Sequence, residues 1–223
     1  MKRWLWVGGV LVSLAGLWFL GPLALRKAEI FRIRRIEVAG ARYLSVTEVA
    51  RALELGPKAN VFDDPAPLAA RALAMPGVRF ATVRGRIPGT LEVRIEEFEP
   101  VALASVDGKL TLVDRRGRSL PFDPTRAVTD LPVVDADPAV AALVDRLRDA
   151  DPRLFAAVTS ATRDRNVIVV ETTEHRVLFR VGATVKDIQA AAAVAAEVGR
   201  RGMVVKELDA RFEGQVVVRG RRV

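Results

Sequence analysis

The chain has 223 residues, half of them apolar, and a formal net charge of +8 at pH 7. It contains no cysteine and one histidine, which excludes disulfides, thiolate metal sites and multi-histidine metal sites. Acidic residues are spread throughout the chain, so the net charge does not form the basic patch of a nucleic-acid-binding protein.

The first segment predicts a membrane anchor. Residues 4–25 carry no charge and are long enough to cross a hydrocarbon core of about 30 Å as a helix. We therefore expect a short cytoplasmic tail (residues 1–3) and a transmembrane helix in lipid (residues 4–25). A cleaved signal peptide is the alternative, but its apolar core would span only about 7–15 residues. The basic flank after the span (Arg26, Lys27, Arg32, Arg34 and Arg35) leaves the orientation open by the positive-inside rule.

The next segment, residues 30–98, predicts a small domain of order β-α-α-β-β. Ser45 and Glu48 have the spacing of a helix capping box, and Pro65 after Asp64 is typical of a helix start. Residues 91–96 alternate apolar and charged, as in a strand with one buried face. The predicted elements are strand 33–38, helices 45–53 and 65–74, and strands 78–84 and 91–96. A three-stranded sheet with both helices on one face is the economical packing, which is the architecture of a POTRA module.

Residues 99–220 predict a β-rich domain with a long helix and a C-terminal edge strand, so the fold class is α+β. Turn dipeptides separate short apolar runs, and Thr184 and Asp187 form the capping box of an alanine-rich helix. The predicted strands are 101–106, 110–113, 119–122, 157–162, 167–171, 176–181, 204–208 and 215–219, and the predicted helices are 139–149 and 184–202.

No residue pattern indicates catalysis, a metal or a cofactor. The single histidine, His175, is expected in an exposed hairpin turn, without the partners of a catalytic triad. The pairs Asp63-Asp64 and Asp135-x-Asp137 precede proline-started helices, where aspartate is a favourable cap. Glu96, Glu97 and Glu99 are interpreted as solvated charges, and a glycine-rich phosphate loop is absent from the sequence. We expect no enzyme activity and no small-molecule substrate.

Several stretches resemble the bacterial cell division protein family FtsQ/DivIB over nearly the whole chain. They are residues 31–40, the Met75-Pro-Gly-Val78 run, Val83-Arg84, Ile87-Pro88, residues 97–102, and Leu112-Val-Asp114 with Gly117. The chain departs from the family pattern at Ile87, where an aromatic precedes the proline in the family, and in its short end Arg221-Arg222-Val223.

This resemblance implies a divisome scaffold without enzymatic activity. Similar proteins are single-pass (type II) inner-membrane proteins at the septum that bind FtsB and FtsL outside the cytoplasm and help control septal cell-wall synthesis. Three alternatives stay open: another membrane-anchored POTRA adaptor in secretion or envelope assembly, a membrane-anchored cell-wall enzyme, and a protein whose soluble part faces the cytoplasm.

Two surfaces are predicted to bind partners. The first is the last strand, to which a partner segment would add by backbone pairing. Its residues are Arg211, Phe212, Gln215, Val216 and Val218. Phe212 is either the aromatic anchor or an ordinary core phenylalanine. The second is the POTRA strand pair and its hinge, where Arg84, Gly85, Pro88, Glu97 and Pro100 match family positions near which early partners dock.

Overall fold

The computed structural model describes residues 29–125 and 131–220. The predicted tail 1–3, the predicted transmembrane segment 4–25 and the end 221–223 lie outside the described residues. Within the described ranges, no helix combines the length and apolar character needed to cross a membrane. The chain divides into two compact units between Glu97 and Phe98.

The first unit has the predicted order β-α-α-β-β. After a short 3₁₀ helix, its elements are β1 Arg35–Ala39, α1 Val46–Ala52, α2 Ala66–Leu73, β2 Val78–Arg86 and β3 Thr90–Glu97. Strand β3 is central, because it pairs in parallel with β1 and antiparallel with β2.

Local signals in the sequence explain these helices and the core beneath them. The Ser45 hydroxyl accepts the Glu48 N–H, and the Glu48 carboxylate accepts the Ser45 N–H at 2.7 Å, which completes the predicted capping box. Helix α2 starts one residue later than predicted, with Pro65 in the N-cap position. The alternating residues of β3 are buried and share one core with both helices. The buried residues of this core are Val49, Leu53, Ala72, Val78, Val83, Leu91, Val93 and Ile95.

In its described residues, 98–125 and 131–220, the second unit is a nine-stranded mixed sheet with three helices. Its elements are β4 Ala102–Val106, β5 Lys109–Val113, β6 Ser119–Leu120, β7 Val133–Val134, α3 Pro138–Ala150, α4 Pro152–Ala157, β8 Val158–Asp164, β9 Val167–Thr172, β10 Arg176–Arg180, α5 Val185–Arg200, β11 Val205–Phe212 and β12 Gln215–Gly220. The strand order is β12-β11-β10-β9-β8-β7-β4-β5-β6.

Helix α5 is a crossover that places the last hairpin. The Thr184 hydroxyl and the Asp187 carboxylate form the predicted capping box, and Asp187 also accepts a bond from Arg180 at 3.0 Å. Because α5 connects β10 to β11, those two strands run parallel, and β12 then returns antiparallel to β11. The buried Ile188 and Ala191 anchor the helix on the sheet.

Two interpretations of single residues are wrong. His175 is only 9% exposed and is therefore not an exposed turn residue. Glu97 is not a solvated charge, since its carboxylate accepts the backbone N–H groups of Arg42, Tyr43 and Leu44 at 2.8–3.0 Å. Both errors have one cause: the neighbours that surround these side chains are distant in sequence.

Candidate protein-binding site

Strand β12 lies at one edge of the nine-stranded sheet. Its one strand neighbour in the described part of the chain is β11, to which it is joined by the turn Glu213-Gly214. The predicted edge position is therefore confirmed. An edge strand carries a row of backbone N–H and C=O groups that a further strand can pair with.

Both faces of β12 carry partly exposed valines. Val216 is half-buried and packs against the core of the unit. Val218 lies opposite Leu208 and is 40% exposed, whereas Val217 lies opposite Asp209 on the other face and is 44% exposed. Both faces of the strand thus offer apolar surface to solvent, which is unusual for the middle of a sheet and suits an edge that another chain covers.

Phe212 is not a core residue. Its side chain is 51% exposed at the end of β11, next to the turn, and the register sets Phe212 opposite the exposed Gln215. The Arg211 guanidinium lies 6.0 Å from the centroid of the Phe212 ring, at the outer limit of a cation–π contact. Aromatic residues are enriched in protein–protein interfaces.

A buried carboxylate, Asp209, holds the hairpin together. It is 0% exposed and accepts bonds from Arg211 Nε at 2.7 Å, Arg211 Nη2 at 2.6 Å and Arg219 Nη2 at 3.0 Å. These bonds, foremost those of Arg211, hold the pKa of Asp209 below its usual range despite burial, which raises it. Arg219 also pairs with Glu207 at 3.2 Å. Arg211 is therefore engaged inside the hairpin, and its predicted contact with a partner stays a prediction.

Three residues of this site were missed in the sequence. Val217, Asp209 and Arg219 lie beside the predicted residues, and the run of three valines at 216–218 was the available signal for the first. The alternation of Glu207, Asp209 and Arg211 was a signal for one charged face of β11, but it does not reveal that Asp209 is buried.

The five residues of the second predicted surface are not brought together. Arg84 and Pro88 are exposed near the β2–β3 turn, whereas Glu97 lies at the opposite end of the strand pair, opposite Val78. A Cβ on Gly85 would lie 2.0 Å from the carbonyl oxygen of Val61, so only glycine fits there. Pro100 belongs to the second unit and is buried. Partner binding at these positions remains untested.

In the described ranges, no group of three or more histidine, aspartate and glutamate side chains is placed to hold a metal ion.

The chain is similar to known proteins, and its first unit matches a known domain family. Residues 31–98 match the family described as "POTRA domain, FtsQ-type". The chain is 33% identical over 140 residues to a protein of Rhodothermus marinus named cell division protein FtsQ, a match that covers 61% of this chain and 50% of the relative. It is 29% identical over 123 residues to a protein of the same name from Koribacter versatilis, covering 52% of this chain and 35% of the relative. The chain thus spans half or less of the length of the relatives that it matches.

Proposed function

We propose that this chain, which is similar to bacterial cell division proteins of the FtsQ/DivIB family, is a non-enzymatic scaffold of the division machinery. It sits in the cytoplasmic membrane at the septum as a type II single-pass protein, with residues 30–98 and 99–220 outside the cytoplasm. There it binds membrane proteins of the FtsB/FtsL type by β-strand addition and helps control septal cell-wall synthesis.

The observation that carries this proposal is the edge strand β12. Strand addition needs an edge whose backbone groups are accessible, and side chains on it that give specificity. Strand β12 has one paired neighbour in the described chain, and Val217 and Val218 are about half exposed on its two faces. Phe212 lies at the end of the same hairpin with its ring 51% exposed.

The ion pairs of the buried Asp209 with Arg211 and Arg219 also support partner binding at the hairpin. An edge strand that accepts a partner has to keep its shape with a neighbour on one side alone. The buried Asp209 carboxylate on β11 accepts a hydrogen bond of 3.0 Å from Arg219 on β12, which links the two strands. The hairpin is therefore pre-organised, which lowers the entropic cost of adding a strand.

A binding experiment tests the strand. The full chain is titrated with a synthetic extracytoplasmic segment of the FtsB-type protein of the same organism, and affinity is measured by calorimetry. Changing both Val217 and Val218 to Asp puts charges on both faces of β12, and we expect the affinity to fall at least about tenfold. The matched control is Leu110→Asp, because Leu110 is 55% exposed on β5, near the opposite edge of the sheet. Equal affinity for all three proteins would contradict the proposal.

Amide hydrogen exchange separates strand addition from side-chain docking. If a partner adds as a strand, the amides of residues 215–220 that face the free edge exchange more slowly in the complex, while those of the Asp107-Gly108 turn are unchanged. Binding without any slowing in β12 would mean that the partner uses another surface.

Imaging tests the cellular role. A fluorescent fusion that matures outside the cytoplasm is expected to form a ring at the constriction site, and the Val217→Asp/Val218→Asp variant is expected to form that ring without recruiting the FtsB-type protein. Uniform membrane fluorescence with normal division would favour an adaptor of secretion or envelope assembly instead.

A further inference from the structure

Two segments of the first unit, residues 29–35 and 84–90, lie together at one end of its sheet, and we call the surface that they form the turn surface. The backbone N–H groups of Arg34 and Arg35 donate to the Gly89 carbonyl oxygen at 2.8 and 3.2 Å. A Cβ built on Gly89 would lie 2.5 Å from a backbone oxygen of the first segment, so the two segments are in direct contact. Strand β1 begins, β2 ends and β3 begins at this end of the sheet. The β2–β3 turn is thus held against the residues that enter the unit first.

The turn surface exposes two isoleucines to solvent. Ile30 is 57% exposed, and Ile87 is 68% exposed, which is the highest value among the large apolar side chains described in the first unit. Ile87 lies in the turn itself, directly after the last residue of β2. Single exposed apolar residues are ordinary on protein surfaces, so these two argue for a ligand only together with the charges around them.

The turn surface is basic. Its five arginines, set against one glutamate, are Arg32, Arg34, Arg35, Arg84 and Arg86. Arg32 pairs with Glu29 at 3.1 Å and Arg86 with Glu37 at 3.7 Å, whereas the other three arginines are exposed and form no ion pair with a residue that the structure describes. The adjoining loop 58–64 adds one lysine and two aspartates, whose carboxylates accept backbone N–H groups at 2.7 and 2.9 Å. The turn surface and this loop together carry six basic side chains against three acidic ones, so this end of the unit favours an anionic ligand.

The length of chain before the turn surface places it near lipid, given the proposed membrane anchor. The proposed transmembrane segment ends at residue 25, and three residues separate it from Glu29. Four residues reach at most about 14 Å even when fully extended. The polar headgroup layer is about 5–8 Å thick on each side of the hydrocarbon core. The turn surface therefore lies at or just outside the headgroups, and the β2–β3 turn is held there by its bonds to the first segment.

We propose that the turn surface docks on anionic lipid headgroups of the membrane that holds the anchor, with Ile30 and Ile87 entering the boundary of the acyl chains. A guanidinium binds phosphate oxygens through two parallel hydrogen bonds, and apolar side chains flanked by cations are typical of segments that bind the membrane interface. Lipid is favoured over an acidic protein segment because the anchor keeps headgroups beside these arginines at all times. This inference rests on the proposed anchor and not on strand addition at β12. Its consequence is that the first unit stands in one orientation at the membrane.

The absence of cysteine from the sequence makes the contact measurable at one chosen position. Ile87→Cys is labelled with the fluorophore NBD, an uncharged aromatic group that takes the place of the isoleucine. The full chain is then reconstituted in nanodiscs whose lipids carry a nitroxide quencher near the headgroup. In nanodiscs that contain phosphatidylglycerol we expect quenching at least about twofold stronger than in phosphatidylcholine alone. The matched control is Phe80→Cys with the same label, because Phe80 is 54% exposed on β2 and about 20 Å away along the strand. Its emission should not depend on lipid charge.

Two pairs of substitutions test the arginines. Arg35→Gln/Arg84→Gln removes two exposed guanidinium groups that have no ion pair in the described chain, so folding is preserved. We expect the ratio of docked to undocked molecules to fall about tenfold or more, with loss of most of the quenching at position 87. Arg42→Gln/Arg79→Gln removes the same charge at the other end of the sheet, where the Arg42 N–H donates to the Glu97 carboxylate, and the quenching should persist. Thermal unfolding of each variant checks that it is folded.

Size-exclusion chromatography at high salt separates failure of the anchor from failure of the docking. A chain that leaves the nanodisc has no membrane anchor, which overturns that part of the proposed function and this inference with it. A chain that stays in the nanodisc with equal quenching in both lipids keeps its anchor but does not dock, and the turn surface is then open to a protein partner. Equal loss of quenching in the two arginine variants would attribute the effect to net charge and would also overturn the proposal.

Discussion

Single buried residues determine how firmly the edge hairpin is held, and Asp209 is the principal one. Its carboxylate is fully buried and accepts bonds from Arg211 and Arg219. Since its pKa in the folded protein is lowered, the stability that it contributes is present above the unfolded pKa near 3.9 and is lost as the pH falls through the folded value.

Asp209→Asn therefore has a pH-dependent cost. At pH 7 we expect the free energy of unfolding to fall by about 1–3 kcal/mol, because an amide replaces a buried charge that three guanidinium bonds satisfy. The difference from the unmodified chain shrinks as the pH falls below the unfolded pKa near 3.9 toward the lowered folded pKa, because the unfolded chain then binds a proton that the native carboxylate resists. Urea unfolding at several pH values measures it.

The matched control for this prediction is Asp149→Asn. The Asp149 side chain is 75% exposed and its one ion pair, with Arg148, spans 3.9 Å, so its loss changes stability by a few tenths of a kcal/mol at most. A cost of Asp209→Asn that stayed constant from pH 7 to pH 3 would contradict the account given for the buried carboxylate.

At the scale of single residues, the sequence predicted which residues lie on the edge hairpin better than it predicted which side chains are buried. Phe212, Val216 and Val218 were found from the pattern of the last strand, and they do lie on the edge hairpin. His175 and Glu97 were misjudged because burial of a polar side chain depends on long-range packing. The backbone groups that bond the Glu97 carboxylate are more than 50 residues away.

At the scale of secondary-structure elements, capping signals in the sequence predicted where helices begin. The helices that begin with a capping box or a proline near the N terminus lie close to where the sequence predicted them. Helix α4 was missed although Asp151 and Pro152 carry the same signal: residues 152–156 were left without an element before the strand predicted from residue 157. The helix α5 between β10 and β11 favours a parallel pair, but the register of that pair has no local signal in the sequence.

Helix α5 offers a test of capping at the scale of one element. Asp187 caps its first turn, bonds Arg180 and is 4% exposed, so Asp187→Ala should lower the free energy of unfolding by about 1–2 kcal/mol. Peptide-resolved hydrogen exchange should show faster exchange in the first turn of α5. Lys186→Ala, one residue away and exposed, is the control and should leave both measurements unchanged.

On the scale of the whole molecule, the described residues form two separate hydrophobic cores. The buried residues of one core all precede residue 98, and those of the other all follow it. Leu53 and Leu147 are both 0% exposed, one in each core. This arrangement, with the β-α-α-β-β order, was predictable from sequence, because the change in periodicity near Pro100 separates the two patterns.

Separate cores predict separate effects of mutation. Leu53→Ala should lower stability by about 2–5 kcal/mol within residues 29–97 and leave amide exchange in residues 131–220 unchanged. Leu147→Ala should do the reverse, and each variant is the control for the other. Faster exchange throughout the chain in either variant would mean that the two units unfold together.

A two-residue strand inside the sheet, β7, has a mechanical consequence. Strand β7 contributes two residues, and it alone joins β8 through β12 to β4 through β6 in the described sheet. Each of its junctions aligns only Val133 and Val134 with the neighbouring strand, whereas β8 and β9 align six residue pairs. If a partner attached at β12 pulls on this unit, we expect the sheet to separate first at β7. The five strands β8 to β12 would then stay paired with one another.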